Sequence, residues 1–228
     1  MKFILIGLGN FGTSLAEKLT KLGHEVIGVD KNINKVEAIK EKATHAISID
    51  CTDENATKYL PLKDTDCVVV CIGKDEGANI ITTAVMKKHK VNRLICRAVS
   101  PLHKTILEAM GVTEIIQPEE ETSERWAKKL TMKGVVDSYS LSDKYGIIEA
   151  LLPHRHAKKS IQELNIRDHY EFIILTTIKK TMKDTIFGAK HTVSQVKGVA
   201  SPVTVLEEGD ILVMFGLIED IQQFISED

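Results

Sequence analysis

Lys2-Phe3-Ile4-Leu5-Ile6-Gly7-Leu8-Gly9-Asn10-Phe11-Gly12 decides the fold of this chain. Lys2–Ile6 reads as an apolar strand, and a G-x-G-x-x-G follows it without a gap. Phe11, Leu15, Leu19 and Leu22 then recur at helical spacing. In a strand–turn–helix of this kind Gly7 permits the tight turn, Gly9 lets a phosphate approach the backbone, and Gly12 lets the helix pack close on the sheet. Exposed N–H groups and the positive end of the helix favour an anion there. Asp30 closes the next strand, Glu25–Val29. A carboxylate at that place accepts both ribose hydroxyls and repels a 2′-phosphate.

The same alternation continues outward. Ile33, Val36 and Ile39 mark a helix, His45–Ile49 a strand, Glu54–Leu60 a helix, and Cys67–Ile72 the most apolar strand. Ala78–Lys88 (helix), Arg93–Cys96 (strand), Leu102–Met110 (helix) and Glu114–Ile116 (strand) complete the series. Continuous apolar strands alternating with helices predict an α/β fold, a Rossmann-like doubly wound parallel sheet covered on both faces. Ligands of such sheets sit at the carboxyl ends of the strands. That rule places Asp50-Cys51-Thr52, Gly73-Lys74 and Arg97 beside the glycine turn. Arg97 suits pairing with a phosphate or a structural salt bridge. Glu119, after Pro118, suits a cation, a neighbouring subunit, or an acid at a helix start.

The pattern changes after a longer helix at Glu119–Lys133. Gly146–Leu152, Glu171–Ile178 and Ile211–Phe215 read as strands, and Lys159–Leu164 and Glu219–Ile225 as helices. This predicts a second, smaller α+β domain, with the first at residues 1–138, crossover helix included, and the second at 139–228. The lysine-rich stretch Lys179–Gly198 has no strong period and stays open between a hairpin and a mobile loop.

Composition narrows the function. Thirty basic against 32 acidic residues leave a net charge of −2, so no overall basic field invites nucleic acid. No apolar run approaches the ~20 residues of a membrane span, and the N-terminus does not read as a signal peptide. A cytoplasmic protein is therefore expected. Cys51, Cys67, Cys71 and Cys96 lie in apolar surroundings with no C-x-x-C pair and read as reduced core residues, not metal ligands. Catalytic groups are not evident. Tyr59 and Lys63 match a Tyr-x-x-x-Lys, but Pro61 breaks the turn that would join them. His154-Arg155-His156 reads as a solvated loop, and no histidine has an obvious paired acid. Neither G-x-S-x-G nor a P-loop lysine motif occurs, so no enzyme is expected; a small NAD-dependent oxidoreductase is the alternative.

These residues resemble a known family. Gly7 to Gly12, Gly23-His24-Glu25-Val26-Ile27-Gly28-Val29-Asp30, Asp50 with Thr52, Ile72-Gly73 and Ile115-Ile116-Gln117-Pro118-Glu119 look like the RCK/KTN (TrkA-N) domain. Ser160-Ile161-Gln162-Glu163-Leu164-Asn165-Ile166-Arg167 and Glu208-Gly209-Asp210-Ile211-Leu212 are similar to the RCK C-terminal (TrkA-C) domain. The resemblance covers nearly the whole chain. It implies a cytoplasmic gating subunit of a Ktr/Trk-type potassium uptake system, peripheral to the membrane through a separate potassium-translocating subunit. Homodimers assembling to an octameric ring are implied, with no nucleic-acid partner. So is an adenine nucleotide, NAD(H), ATP, ADP or AMP, in the first domain, and cyclic di-AMP in the second. Carried over, Gly7, Leu8, Gly9, Asn10, Phe11, Gly12, Asp30, Lys31, Asp50, Cys51, Ile72, Gly73, Arg97 and Glu119 would contact the nucleotide. Asn165, Ile166, Arg167 and Pro202 match the second-domain ligand region. Some ATP-responsive members carry an arginine where this chain has Asn10, and the missing charge favours NAD(H) or AMP-like ligands.

Overall fold

Strand β1 (Lys2–Ile6) is fully buried from Ile4 to Ile6 and lies at the centre of a six-stranded sheet in the computed structural model, which describes residues 1–184 and 190–226. Around it follow α1 (Asn10–Lys21), β2 (Glu25–Asp30), α2 (Ile33–Ile39), β3 (His45–Ser48) and α3 (Glu54–Thr57). Then come β4 (Cys67–Val70), α4 (Glu76–Lys88), β5 (Leu94–Arg97), α5 (Pro101–Ala109) and β6 (Glu114–Ile116). The strand order is β3-β2-β1-β4-β5-β6, and every pairing is parallel.

Both faces of this sheet are covered, which is why its strands carry apolar residues at successive positions. Ile4, Ile6, Val68, Val70 and Cys96 face Met86 and Leu107; Leu5, Val26, Cys67, Val69 and Cys71 face Ala16, Val36 and Ile39. Cys67 and Cys71 share one face, as their spacing predicts, and all four cysteines are buried free thiols. Burial pushes the Cys71 and Cys51 thiols up to about 12 and Cys96 to about 11, so these are packing groups and not nucleophiles.

The chain divides into two units, Met1–Glu119 and Glu120–Asp228, earlier than the expected division between Ser138 and Tyr139. The physical reason is a strand the sequence did not announce. After α6 (Pro118–Thr131), β7 (Val135–Ser140) runs through residue 138 and pairs antiparallel with β8 (Tyr145–Leu151). A cut at 138 would sever a sheet.

The second unit continues with α7 (Ile161–Leu164), α8 (Ile166–His169), β9 (Phe172–Asp184), β10 (Lys190–Val196), β11 (Ile211–Leu217) and α9 (Ile218–Ser226). Its sheet has the order β10-β9-β11-β8-β7 and is antiparallel throughout. Ile148, Ala150, Leu212 and Met214 form the buried face, closed by Ile221 and Phe224 of α9. Phe224 also stacks on His156 at 4.5 Å between ring centroids, so part of the expected solvated loop is packed on the core. Lys179–Gly198 resolves toward a hairpin: β9 and β10 pair from Lys190 with Asp184 to Val196 with Ile178, and residues 185–189 lie outside the described residues.

Candidate functional site

The strand order reverses direction of growth at β1, whose neighbours are β2 and β4, and a crevice opens at the carboxyl ends where the two halves part. The glycine turn sits there. Gly7 has φ +101° and a Cβ on it would stand 2.8 Å from the Ile72 nitrogen. A Cβ on Gly12 would meet the Gly7 carbonyl oxygen at 2.0 Å. Gly12 therefore closes the turn from beneath and does not line the crevice. Over Gly9 there is open space.

Gly9 is also the N-cap of α1 and offers no side chain to it. By contrast, Asn32, Asp53, Asp75 and Ser100 cap α2 to α5 by accepting from backbone N–H groups. The start of α1 is thus left to whatever binds, with its N–H groups and dipole directed there.

A cleft of about 690 Å³ spans this edge, within the usual size of small-molecule sites. All of the first-domain residues expected to bind, Gly12 excepted, line it: Gly7, Leu8, Gly9, Asn10, Phe11, Asp30, Lys31, Asp50, Cys51, Ile72, Gly73, Arg97 and Glu119. On one side of the turn the buried Asp30 accepts from the Leu8 N–H at 2.8 Å, the Asn32 N–H at 2.9 Å and Lys35 Nζ at 2.9 Å. Burial raises its pKa, but the Asn32, Lys35 and Leu8 bonds outweigh that and hold the carboxyl below the usual range. Asp50 is held low by the Thr52 hydroxyl and N–H, at 2.7 and 3.0 Å.

On the other side Arg97, 14% exposed, lies with its guanidinium against Gly73 and 5.6 Å from the Phe11 ring centroid. It is paired with Glu119, which is 67% exposed. Nε of Arg97 is buried with no hydrogen-bond partner among the described residues. The cleft therefore offers an acid edge, a central bed of backbone N–H groups, and a cation that already holds one exchangeable anion.

The sequence reading missed Asn32, Lys35 and Thr82 as lining residues. Lys35 had a signal: a position in the first turn of the helix after β2 faces back toward the strand end. Tyr59 is 85% exposed and neither it nor Lys63 lines the cleft. His154 does find an acid, Glu208 at 3.3 Å on the surface. Among the described residues no helix is long and apolar enough to cross a membrane, and no group of three or more His, Cys, Asp or Glu could hold a metal.

The second unit has a smaller cleft of about 380 Å³, lined in part by Asn165, Ile166, Arg167 and Pro202, the four residues expected there. Two backbone bonds bring them together. Ile161 N–H donates to Thr204 at 3.0 Å and Gln162 N–H to Pro202 at 2.9 Å, clipping the start of α7 to the loop before β11. Asn165 turns the chain from α7 into α8 at φ +47°.

Residues 3–118 match the TrkA-N domain. Over 226 residues the chain is 33% identical to Ktr system potassium uptake protein A of Bacillus subtilis (strain 168), covering 99% of this chain and 96% of that protein. The chain belongs to the TrkA-N family. Among solved structures, the GsuK RCK domain shares the fold over 99% of this chain and 48% of its own, with a TM-score of 0.64 at 17% identity. The NAD(P)-binding domain of an exopolyphosphatase-related protein from Archaeoglobus fulgidus is 26% identical. It covers 56% of this chain and 96% of its own, with a TM-score of 0.51. The second match is confined to about half the chain; the first extends across both units of this TrkA-N family member.

Proposed function

We propose that this chain is the cytoplasmic, nucleotide-binding regulatory subunit of a potassium uptake system, peripheral to the membrane through a separate potassium-translocating subunit. Full-length similarity to a Ktr potassium uptake protein supports the role. The observation that carries the ligand class is the uncapped start of α1, with Asp30 and Arg97 on either side of it in one cleft. Adenine nucleotides fit that order of groups: ribose at Asp30, phosphates over the Gly9 turn and toward Arg97. NAD(H), ATP, ADP and AMP all carry the shared part, and Asn10 adds no charge for a third phosphate.

A phosphate entering beside Arg97 draws on the same guanidinium whose Nη2 holds Glu119, and so weakens that pairing. Glu119 stands in the first turn of α6. Occupancy thus changes the load on that helix, and a ligand that binds one conformation better shifts the population toward it by about 1–3 kcal/mol per site. Homodimers assembled to an octameric ring would multiply the bias at the pore. Cyclic di-AMP is the proposed ligand of the second cleft, at Asn165, Ile166, Arg167 and Pro202. This reading is preferred to a small NAD-dependent oxidoreductase because the relative matched over the whole chain is a potassium uptake protein.

Calorimetric titration with NADH, NAD, ATP, ADP, AMP and cyclic di-AMP tests it. One adenine nucleotide should bind in the micromolar range and compete with the others. Arg97→Met should weaken ADP about tenfold or more, the worth of a charged hydrogen bond. A chain that bound none of them, or turned over NADH with carbonyl compounds, would overturn the reading.

A further inference from the structure

The ladder between β4 and β5 ends at the pair Val70–Cys96. Beyond it the two strand ends part, and that divergence opens the floor of the first cleft. One side chain spans the gap. Asn79, on the second turn of α4, is fully buried, and its amide nitrogen donates to the Ile72 carbonyl at 2.7 Å and to the Arg97 carbonyl at 3.1 Å. Both partners are acceptors, so the nitrogen and not the oxygen must face them. Its oxygen accepts from the Thr83 hydroxyl at 3.4 Å, one turn along the helix.

The two carbonyls belong to the residues that matter most on this side. Ile72 precedes Gly73, and a Cβ on Gly73 would come within 2.7 Å of Arg97 Nη1, so the guanidinium lies directly on the Gly73 backbone. Were the strand ends to drift apart by even a few tenths of an ångström, that seat would open and the guanidinium would lose its fixed direction. Among the described residues no other side chain joins the Ile72 and Arg97 carbonyls by hydrogen bonds. α4 itself begins with the Asp75 cap, so the helix that carries Asn79 is anchored by a separate device.

We propose that Asn79 is a positioning residue for the nucleotide site: by bridging the Ile72 and Arg97 carbonyls it seats the Arg97 guanidinium on Gly73 and so sets affinity for the ligand's phosphates. It touches no ligand itself and acts only through Arg97. The inference rests on the nucleotide reading above. A buried amide that served only to stabilise α4 would cost stability without regard to Arg97; one that seats the guanidinium has an effect that vanishes once the guanidinium is gone.

A double-mutant cycle separates the two. Asn79→Ser keeps one donor and Asn79→Leu keeps the volume, and a cooperative thermal melt qualifies each variant before its affinity is read. In the otherwise natural chain either should weaken ADP about tenfold, the loss of a well-placed charged contact. In the Arg97→Met chain the same change should weaken ADP less than about twofold. Met86→Ala, elsewhere on α4 in the core, should lower Tm by a comparable amount yet leave ADP affinity within about twofold. Equal losses in both Arg97 backgrounds, or a Met86→Ala chain that loses ADP as Asn79→Ser does, would overturn the inference while the nucleotide reading stood. Absence of ADP binding by the unaltered chain would overturn both.

Discussion

The two clefts of this chain are assembled from different materials. In the first unit the walls are the carboxyl ends of parallel strands, and the bed is backbone: a glycine turn, an uncapped helix start, and N–H groups. In the second the walls are the short helices α7 and α8, the start of β9 at Phe172 to Ile174, and a loop joined to α7 by two main-chain bonds from Ile161 and Gln162. The difference matters for what each tolerates. Beneath that bed, at Gly7 and Gly12, there is no spare volume, so one added methyl is destructive there. A wall of turn and loop tolerates side-chain change, and depends on the buried Ile166, Phe172 and Ile174 behind it.

The largest expected effect comes from that contrast. Gly12→Val would put carbon where the Gly7 carbonyl already stands, 2.0 Å away, and neither backbone segment can yield. The cost is about 3 kcal/mol or more, at the upper end for overpacking. Hydrogen exchange should show lost protection in β1 and β4 while β8 and β11 keep theirs. Equal loss in both sheets would break the comparison, by showing that the units stand or fall together.

A smaller effect is expected in the second unit. Asp210 is fully buried; its Oδ2 accepts from Lys197 Nζ at 3.0 Å and the Glu207 N–H at 2.9 Å, while Oδ1 has no partner among the described residues. Lys197 is half-exposed, so the pair is worth less than a fully buried one. Lys197→Met strands the carboxylate and should cost about 2–3 kcal/mol in a denaturant titration. The loss should appear in β9 and β11, not in β1. Replacing both partners, Lys197→Met with Asp210→Asn, should recover part of it, because the stranded charge is the main cost.

The same contrast explains what could be read from residues alone. Strands buried on two faces are continuous apolar runs, and helices between them keep an apolar stripe, so β1 to β6 announced themselves. The glycine spacing and the rule of strand ends then located the first cleft. Asn79 escaped because its role depends on contacts across the fold, from helix to strand end, which no spacing encodes; Lys35 carried only the positional signal of the first turn after β2. In the second unit β7 follows a helix after Gly134 and carries Asp137 and Ser138, too polar for a strand signal. The β9–β10 hairpin is an edge whose lysines suppress apolar alternation, a common way of keeping edges from pairing with other chains. The second cleft was found by resemblance, not by chemistry, since Asn165-Ile166-Arg167 and Pro202 lie far apart in the chain and meet only through the α7 clip.

The smallest of the expected effects tests whether the acid edge of the first cleft is as fixed as its backbone bed. Asp30 is held below its usual pKa: burial opposes this, and the Asn32 N–H, Lys35 and the Leu8 N–H together overcome it. A carboxyl lowered in the folded state contributes stability above its unfolded value, about pH 4, and loses it as pH falls through the folded value. First-unit stability should therefore decline on acidification below about pH 4, and Asp30→Asn should flatten that part of the curve. At neutral pH the same substitution should cost about 1 kcal/mol, because an amide cannot accept all three bonds and turns a donor toward an N–H. Lys35 is half-exposed and returns to water at little cost. If Asp30→Asn left both the acid limb and the neutral stability unchanged, the three bonds would not be shaping the edge. The carboxylate would then be free to turn wholly toward a ribose, and the first cleft would be rigid on its Arg97 side alone.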